Sequence, residues 1–419
     1  MKRKIYLFSQ TSMAANYGIG TYIEQIIHLI ENAGMEPTLV EICSRGGKKT
    51  ETVCENGINI IRLPYNPEIS SLQTEKYDDR YNRNVAYLLK EYIPDDQTNI
   101  FHLNYLTSEY QATWLKRVFN GKIILTVHYM EWGMSLLGNV TRLRKIMTGD
   151  ETLLNDADEK NSYESFRKEK SLFETVDLVI CLSEHTAGLL KQDYRIDENQ
   201  LSVVYNGLAD VAGERADRIQ LRKKYRLPNH APVILFAGRL DAVKGLSYFI
   251  EAVKMLLYKL PTCHILIAGS GDCNTYLKAC GNRWMNVHFT GLLDKKDLYE
   301  LYAIADIGVM PSFHEQCSYV AIEMMMHGLP IIGSTSTGLK EMIADGETGL
   351  HIPVIEYEDR VDIDTDLLAE KMLYLLQDPK ERKRMGRNAR KRYEALYTAG
   401  RMGRQMLALY QSLWDDEAP

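Results

Sequence analysis

Two glutamates eight positions apart, Glu315 and Glu323, flank the start of an apolar helix in FHEQCSYVAIEMMMHGLP, residues 313–330. Glu315 is predicted on the loop that leaves an apolar strand, and Glu323 about one turn into the helix, which Ser318 is placed to cap. Backbone N–H groups at a helix start bind anions. This layout suits a ligand with hydroxyls at both ends and phosphate in the middle, such as a nucleotide sugar. Alternatively, Glu323 pairs with a neighbouring helix and Glu315 is a solvated loop residue.

Two cations follow another predicted strand in FAGRLDAVKGLSYFIEAV, which begins at Phe236. Arg239 and Lys244 lie between the end of this strand and a helix that begins near Gly245. Ligands of α/β proteins bind at the carboxyl ends of strands, where an Arg fork and a Lys point charge bind phosphate. The alternative is that both are solvated surface cations.

The first predicted strand is followed by a Gly-x-Gly turn, Gly18 to Gly20, and then by a helix. This resembles half of a dinucleotide fingerprint, but Ile23 occupies the place of its third glycine. The turn therefore allows close backbone approach and indicates no more. His128 follows the predicted strand that begins at Lys122, and it either faces a ligand from the strand end or is a structural histidine.

Apolar runs typical of strands alternate with helical periodicity along almost the whole chain. Strands are predicted to begin at residues 4, 37, 58, 99, 122 and 177, and again at 232, 264, 286, 307 and 329. Helices are predicted, among others, over residues 20–32, 76–92, 183–193, 364–376, 379–397 and 400–414. The alternation predicts parallel sheets covered on both faces. Two successive sets predict two Rossmann-like, doubly wound domains with a boundary between residues 206 and 232.

Length and composition agree with a two-domain α/β protein. A chain of 419 residues exceeds the usual size of one core. The net charge of −6 argues against a nucleic-acid partner. No apolar stretch is long enough for a membrane span, and the run after the basic residues 2–4 is too short for a signal peptide. Seven scattered cysteines without C-x-x-C indicate reduced thiols in the cytoplasm.

Taken together, these stretches resemble the family 4 glycosyltransferases, which are retaining sugar transferases of the GT-B fold. EQCSYVAIE resembles the E-x7-E signature of that family, and GRLDAVKGLSYFIEA resembles its phosphate-binding stretch. LIAGSGD, FTGLLDKKDLYELYAIADIGVMPS, STGLKEMIADGETGL and VVYNGL match further blocks in the family order. The resemblance is strong over residues 203–352. It implies an acceptor-side domain over 1–208, a nucleotide-sugar domain over 209–395, a central cleft, and a last helix, 396–419, that crosses back to the first domain.

The resemblance also implies roles for individual residues. Arg239 and Lys244 would neutralise the donor diphosphate, Glu323 would hold the ribose hydroxyls, and Glu315 and His128 would contact the transferred sugar. The remaining expected donor-binding positions are Gly18, Gly20, Gly291, Leu293, Ser318, Tyr319 and Val320. The sequence departs from the family pattern at Ile19 between the two glycines, at Tyr129, at Cys317 and Ser318, and at Thr337.

The expected reaction moves a hexosyl unit from a nucleotide sugar, with a UDP-sugar as the expected donor, to a saccharide, lipid-linked or peptide acceptor. Neither Asp156-x-Asp158 nor DIDTD at Asp362 reads as a metal-binding motif, so no metal and no other cofactor is expected. Basic residues in 116–145 and in DPKERKRMGRNARKRY from Asp378 either rest on the inner face of a membrane or form a solvated face. Residues 130–170 are a candidate acceptor-side lid.

Three other functions share parts of these patterns. A nucleotide-sugar epimerase of the same fold would need no acceptor, and the E-x7-E series argues against it. A non-catalytic nucleotide-sugar-binding protein would keep the cations but could dispense with His128 and Glu315. An NAD oxidoreductase is disfavoured by Ile23.

Overall fold

The computed structural model describes residues 3–10, 18–44, 49–64, 75–106, 109–148, 154, 156–212 and 217–415. Contacts within the chain divide it into two compact units. The first consists of Met1–Glu131, Tyr163–Tyr205 and Gly400–Pro419, and the second of Trp132–Ser162 and Asn206–Ala399.

The first unit is built on an eight-stranded sheet in the order β3-β4-β2-β1-β5-β6-β7-β8. Its strands are β1 (Lys4–Gln10), β2 (Pro37–Ser44), β3 (Glu51–Glu55), β4 (Ile58–Pro64), β5 (Asn99–Leu103), β6 (Lys122–Val127), β7 (Leu178–Cys181) and β8 (Leu201–Val203). All neighbours pair in parallel except β3 and β4, which form an antiparallel hairpin. The strand order reverses between β1 and β5, which is where α/β sheets bind ligands.

Five helices connect strands of this sheet, and a sixth comes from the C-terminal end of the described chain. They are α1 (Gly18–Asn32), α2 (Glu75–Leu89), α3 (Glu109–Val118), α6 (Ala157–Thr175), α7 (Glu184–Gln192) and α16 (Ala399–Asp415), while α4 (Glu131–Ser135) and α5 (Val140–Thr148) lie between β6 and α6 in the chain. Helix α1 shows how the pattern works, because its buried residues are isoleucines and a tyrosine at helical spacing.

The second unit has a six-stranded parallel sheet in the order β11-β10-β9-β12-β13-β14 and a separate hairpin, β15-β16. The strands are β9 (Val233–Ala237), β10 (His264–Ala268), β11 (Val287–Gly291), β12 (Ile307–Met310), β13 (Ile331–Ser334), β14 (Gly349–Ile352), β15 (Val354–Glu356) and β16 (Val361–Ile363). This is the strand order of a doubly wound dinucleotide-binding sheet, with its reversal between β9 and β12.

Helices cover the second sheet. They are α8 (Arg218–Lys224), α9 (Leu246–Lys259), α10 (Cys273–Ala279), α11 (Lys295–Ile304), α12 (Tyr319–Met326), α13 (Leu339–Met342), α14 (Thr365–Gln377) and α15 (Pro379–Leu396). The buried faces of α9 and α14 pack with the sheet strands in one apolar core. Because a parallel strand is covered on both faces, β9 and β12 are buried at every residue.

The sequence predictions of the fold are confirmed in most elements. All eleven predicted strands form, and α12 begins at Tyr319 as predicted. The strands β3, β8, β14, β15 and β16 were missed. Among them, β3 is largely exposed and β8 has three half-buried residues, so neither has the apolar run that marks a buried strand.

Residues 132–162 differ from the expectation for domain 1–208, because their contacts place them in the second unit. Asn139 illustrates the reason, since its side-chain amide donates to the carbonyls of Tyr357, at 2.8 Å, and Arg360, at 3.1 Å. At the other end of the chain, α16 belongs to the first unit. Trp414 Nε1 donates to the Thr98 carbonyl at 2.7 Å.

Candidate active site

Two charged side chains of the second unit meet beyond the ends of β9 and β12, where the strand order reverses. Lys244 follows β9, and its ammonium lies 2.6 Å from the Glu315 carboxylate, which follows β12. The side chains are only 20% and 10% exposed. Gly245 allows the two loops to touch, because a Cβ at this residue would lie 2.0 Å from the Pro311 carbonyl oxygen. The alternative that Glu315 is a solvated loop residue is therefore wrong.

The backbone of Glu315 is held from the loop after β13. Its N–H donates to Thr337 Oγ1 at 2.9 Å, the Thr337 hydroxyl donates to the Glu315 carbonyl, and Gly338 N–H donates to the same carbonyl at 2.8 Å. Thr337 replaces a glycine of the family pattern and has φ of +25°. The departure thus supplies a hydroxyl that fixes Glu315. Sequence reasoning noted the departure but missed this contact.

The start of α12 presents backbone N–H groups beside this pair. Ser318 occupies the N-cap position, but its side chain makes no cap hydrogen bond, so the prediction that it caps the helix is wrong. Its own N–H points to Met342 Sδ at 3.2 Å, and Asn206 Nδ2 donates to the Cys317 carbonyl at 2.7 Å. The N–H groups of Tyr319 and Val320 come next, where a helix has no internal acceptor.

Glu323 is buried in α12 and 7% exposed. Its carboxylate accepts a hydrogen bond from the Tyr302 hydroxyl of α11 at 2.9 Å, so the pairing with a neighbouring helix is confirmed. Burial raises the pKa of Glu323 to about 7, against the opposing effects of Tyr302 and Lys295. Tyr302 is the second tyrosine of the FTGLLDKKDLYELYAIAD block, so a sequence signal for this partner existed.

Arg239 follows β9, and Gly291 and Leu293 lie at the end of β11, on the other side of β10 in the same sheet. The Arg239 guanidinium pairs with Asp241 at 3.0 Å and is 39% exposed. Gly291 ends β11 with φ of +73°, and its carbonyl accepts the Gly269 N–H at 2.9 Å. Arg239 is therefore more exposed than Lys244, and Gly291 directs the chain into the loop that contains Leu293.

His128 and the two glycines belong to the first unit. His128 follows β6 directly, and its Nε2 lies 3.2 Å from Asn104 Oδ1. Because Asn104 Nδ2 donates to the Phe8 carbonyl, its Oδ1 must accept, so His128 carries its hydrogen on Nε2. Burial lowers the pKa of His128, and the ring is neutral at pH 7. Gly18 and Gly20 lie in the first turn of α1, and residues 11–17 before them are outside the described part.

The aspartates that could mimic a metal-binding motif have other partners. Asp156 accepts the Glu159 N–H before α6 and pairs with Arg142, and Asp364 caps α14. Among the described residues, no cluster of three or more His, Cys, Asp or Glu side chains is placed to hold a metal ion. All seven cysteines are free thiols.

The two basic stretches make internal contacts. Lys116 pairs with Asp177, Arg142 with Asp156 and Glu159, and Lys145 with Glu358. In α15, backbone carbonyls accept from Arg382, Arg384, Arg390 and Arg392. These cations therefore have partners within their own units. Within the described ranges, no helix combines the length and apolarity needed to cross a bilayer.

The chain is similar to known sugar transferases at three levels. The model of "Glycosyltransferase Family 4" matches residues 17–210, and that of "Glycosyl transferases group 1" matches residues 217–392. The α-D-kanosaminyltransferase of Streptomyces kanamyceticus is 30% identical over 205 residues, which are 48% of this chain and 51% of the relative. The match therefore spans about half the length of that relative.

Solved structures agree in fold. Sucrose-phosphate synthase from Thermosynechococcus elongatus has a TM-score of 0.76 at 23% identity over 99% of this chain and 100% of its own. Anabaena Alr3699/HepE in complex with UDP and glucose has a TM-score of 0.72 at 15% identity over 98% and 100%. The family assignment is supported by the two successive Rossmann-like sheets, by the two family models and by these structural neighbours. The chain belongs to the family 4 glycosyltransferases of the GT-B fold.

Proposed function

We propose that this protein is a retaining hexosyltransferase that uses a nucleotide sugar, with UDP-sugar as the first candidate, and needs no metal. The observation that carries the proposal is the Lys244–Glu315 pair at the reversal of strand order, beside the N-terminus of α12. A nucleotide sugar offers both members a new partner, because phosphate can replace the carboxylate at Lys244 and sugar hydroxyls can replace the ammonium at Glu315.

The remaining site residues fit the same ligand. Arg239 and the N–H groups of Tyr319 and Val320 would bind the diphosphate, and Glu323 would accept the ribose hydroxyls. Gly291 and Leu293 would flank the base. In the first unit, His128 with Gly18 and Gly20 would serve the transferred sugar and the donor phosphate. UDP is favoured as the nucleotide because the neighbour Alr3699/HepE has UDP in its structure.

Charge dictates the mechanism. The bond between the anomeric carbon and the diphosphate oxygen breaks, and its electron pair goes to the diphosphate. Arg239, Lys244 and the N-terminus of α12 stabilise this added negative charge, which a metal ion would otherwise do. The acceptor oxygen attacks from the same face and gives its proton to the diphosphate, so the configuration is retained.

The acceptor remains a saccharide, a lipid-linked sugar or a peptide. A membrane-bound acceptor would favour a basic face, but several cations of the two basic stretches already pair within their own units. Peripheral membrane contact is therefore a separate proposal. Co-sedimentation with anionic vesicles at physiological salt tests it, and protein that stays in the supernatant contradicts it. The epimerase and the non-catalytic binder are not favoured by the family match.

The test is binding and hydrolysis with UDP-, GDP- and ADP-sugars in the presence of EDTA. We expect one donor to raise the melting temperature and to release its nucleoside diphosphate slowly. Lys244→Met should abolish both effects, whereas Lys254→Met, which removes an exposed cation paired with Glu251 on α9, should change neither. Stabilisation by NAD and by no nucleotide sugar would overturn the proposal. A donor that binds only after metal addition would overturn its metal-free part.

A further inference from the structure

The chain directly after β6 and His128 packs against the loop that carries Glu315. Residues 132–139, here called the 132–139 segment, belong to the second unit by their contacts. They were predicted as part of an acceptor-side lid. This segment contacts the loop that follows β12.

The segment touches His314, the residue before Glu315, with two neighbouring residues. The Trp132 ring meets the His314 ring edge-on, with centroids 5.8 Å apart. Gly133 lies so close to this imidazole that an added Cβ would come within 2.5 Å of its Cε1 and Nε2 atoms. Trp132 is fully buried, and His314 is 5% exposed. An alanine at position 133 would therefore clash with the His314 ring unless the ring moved.

The segment has its own anchors. Gly138, with φ of +71°, approaches Phe313 so closely that a Cβ would lie 2.2 Å from the Phe313 carbonyl oxygen. Phe313 is held in turn, because its N–H donates to the Val243 carbonyl at 2.7 Å. Asn139 binds the two carbonyls of the β15–β16 turn described above. The segment thus contacts the second unit at Gly138 and Asn139 as well as at Trp132 and Gly133.

We propose that His314, clamped by Trp132 and Gly133, is a positioning residue that holds Glu315 for sugar transfer. The backbone of Glu315 itself is held by hydrogen bonds to Thr337 and Gly338. The preceding residue, His314, is held by the contacts of its ring with Trp132 and Gly133. A residue that positions the substrate must itself be placed within a fraction of an ångström, because a small displacement lowers the rate strongly. This inference rests on the proposed function, because its predicted effects on kcat require that the protein transfers a sugar.

A double-mutant cycle tests the clamp. Gly133→Ala should lower kcat about 100-fold, since a displacement of about 1 Å has that effect. The affinity for UDP should stay within about twofold of wild type, because Arg239, Lys244 and the start of α12 are not touched. His314→Ala should lower kcat by a smaller factor. In the His314→Ala background, adding Gly133→Ala should cost nothing further, because the clash has been removed.

Equal losses from Gly133→Ala in both backgrounds, or no loss in either, would overturn the inference. Gly188→Ala in α7 is the matched control, because no atom lies within 4 Å of its added Cβ. If Gly133→Ala fails to fold, Trp132→Leu removes the ring contact without adding a clash. It should lower kcat while leaving UDP affinity unchanged.

Hydrogen exchange of the peptide 312–318 gives a reading that needs no activity. Gly133→Ala should speed exchange at Glu315, and the double variant should exchange as His314→Ala does. If no sugar donor reacts with wild type, the proposed function fails, and this exchange experiment still decides whether the clamp exists. Unchanged exchange in Gly133→Ala would refute the clamp itself.

Discussion

Replacing Glu323 by glutamine should make the protein more stable above neutral pH and no different at acid pH. Burial raises the pKa of Glu323 from 4.5 to about 7. An acid whose pKa is higher in the folded state binds its proton more tightly there than in the unfolded chain. Its contribution is therefore most favourable below pH 4.5, and it is lost as the pH rises to about 7.

The magnitude follows from the width of this window. Each pH unit between 4.5 and about 7 lowers the free energy of unfolding by about 1.4 kcal/mol, so that the full window amounts to about 3 kcal/mol. Glutamine has nearly the same volume and its carbonyl can accept from the Tyr302 hydroxyl. Glu323→Gln should thus match the protonated wild type at low pH and exceed the wild type by about 3 kcal/mol above pH 7.

Urea denaturation at several pH values measures this difference. Buried Glu169, whose pKa is raised to about 8, titrates in an overlapping window, but it is present in both proteins and cancels in the comparison. The exposed Glu370→Gln serves as the control for replacing one surface carboxylate. A difference between wild type and Glu323→Gln that stays constant with pH would refute the reasoning, as would a variant less stable at high pH. The same variant should bind its sugar donor more weakly if Glu323 holds the ribose.

Two further perturbations address the site pair and its support. Lys244→Met leaves the Glu315 carboxylate buried without its partner and should destabilise the second unit by about 3 kcal/mol or more, as measured by urea denaturation. The double variant Lys244→Met/Glu315→Gln should recover most of that loss. A double variant as unstable as the single one would contradict this. Thr337→Val removes the hydroxyl that binds the Glu315 backbone and should cost about 1–3 kcal/mol of stability, measured by the shift of the urea midpoint, while Thr337→Ser should retain most of it. An unchanged midpoint in Thr337→Val would contradict this contribution of the hydroxyl.

Much of the sheet architecture could be read from local patterns. The strands β9 and β12 are continuous apolar runs, and parallel strands buried on both faces have this pattern. The start of α12 was predicted because polar residues change there to an apolar run. The short strands β14, β15 and β16 lack such a signal, since they are three or four residues long and partly exposed. Their partners are nevertheless close in the chain, because β14 pairs with the preceding strand β13, and β15 pairs with β16.

In the candidate site, the positions of the residues could be predicted from the sequence, but their partners could not. Arg239, Lys244, Glu315 and His128 lie at strand ends as predicted, because apolar runs locate strand ends and loops follow them. The partner of each could not be read from spacing. Glu315 lies against Lys244 because Gly245 lets two loops meet, and Glu323 is bonded to Tyr302 because α11 and α12 pack side by side.

The sequence by itself determined the fold class, the residues at the strand ends and the family, because these depend on the order and periodicity of residue types along the chain. Tertiary structure decided which of these residues form ion pairs, which are buried and which are held by backbone hydrogen bonds. It also placed the 132–139 segment against His314, although its sequence position suggested the first domain. An apolar pattern shows that a face must be buried, but the shape and free hydrogen-bonding groups of the surface it meets determine where it is buried.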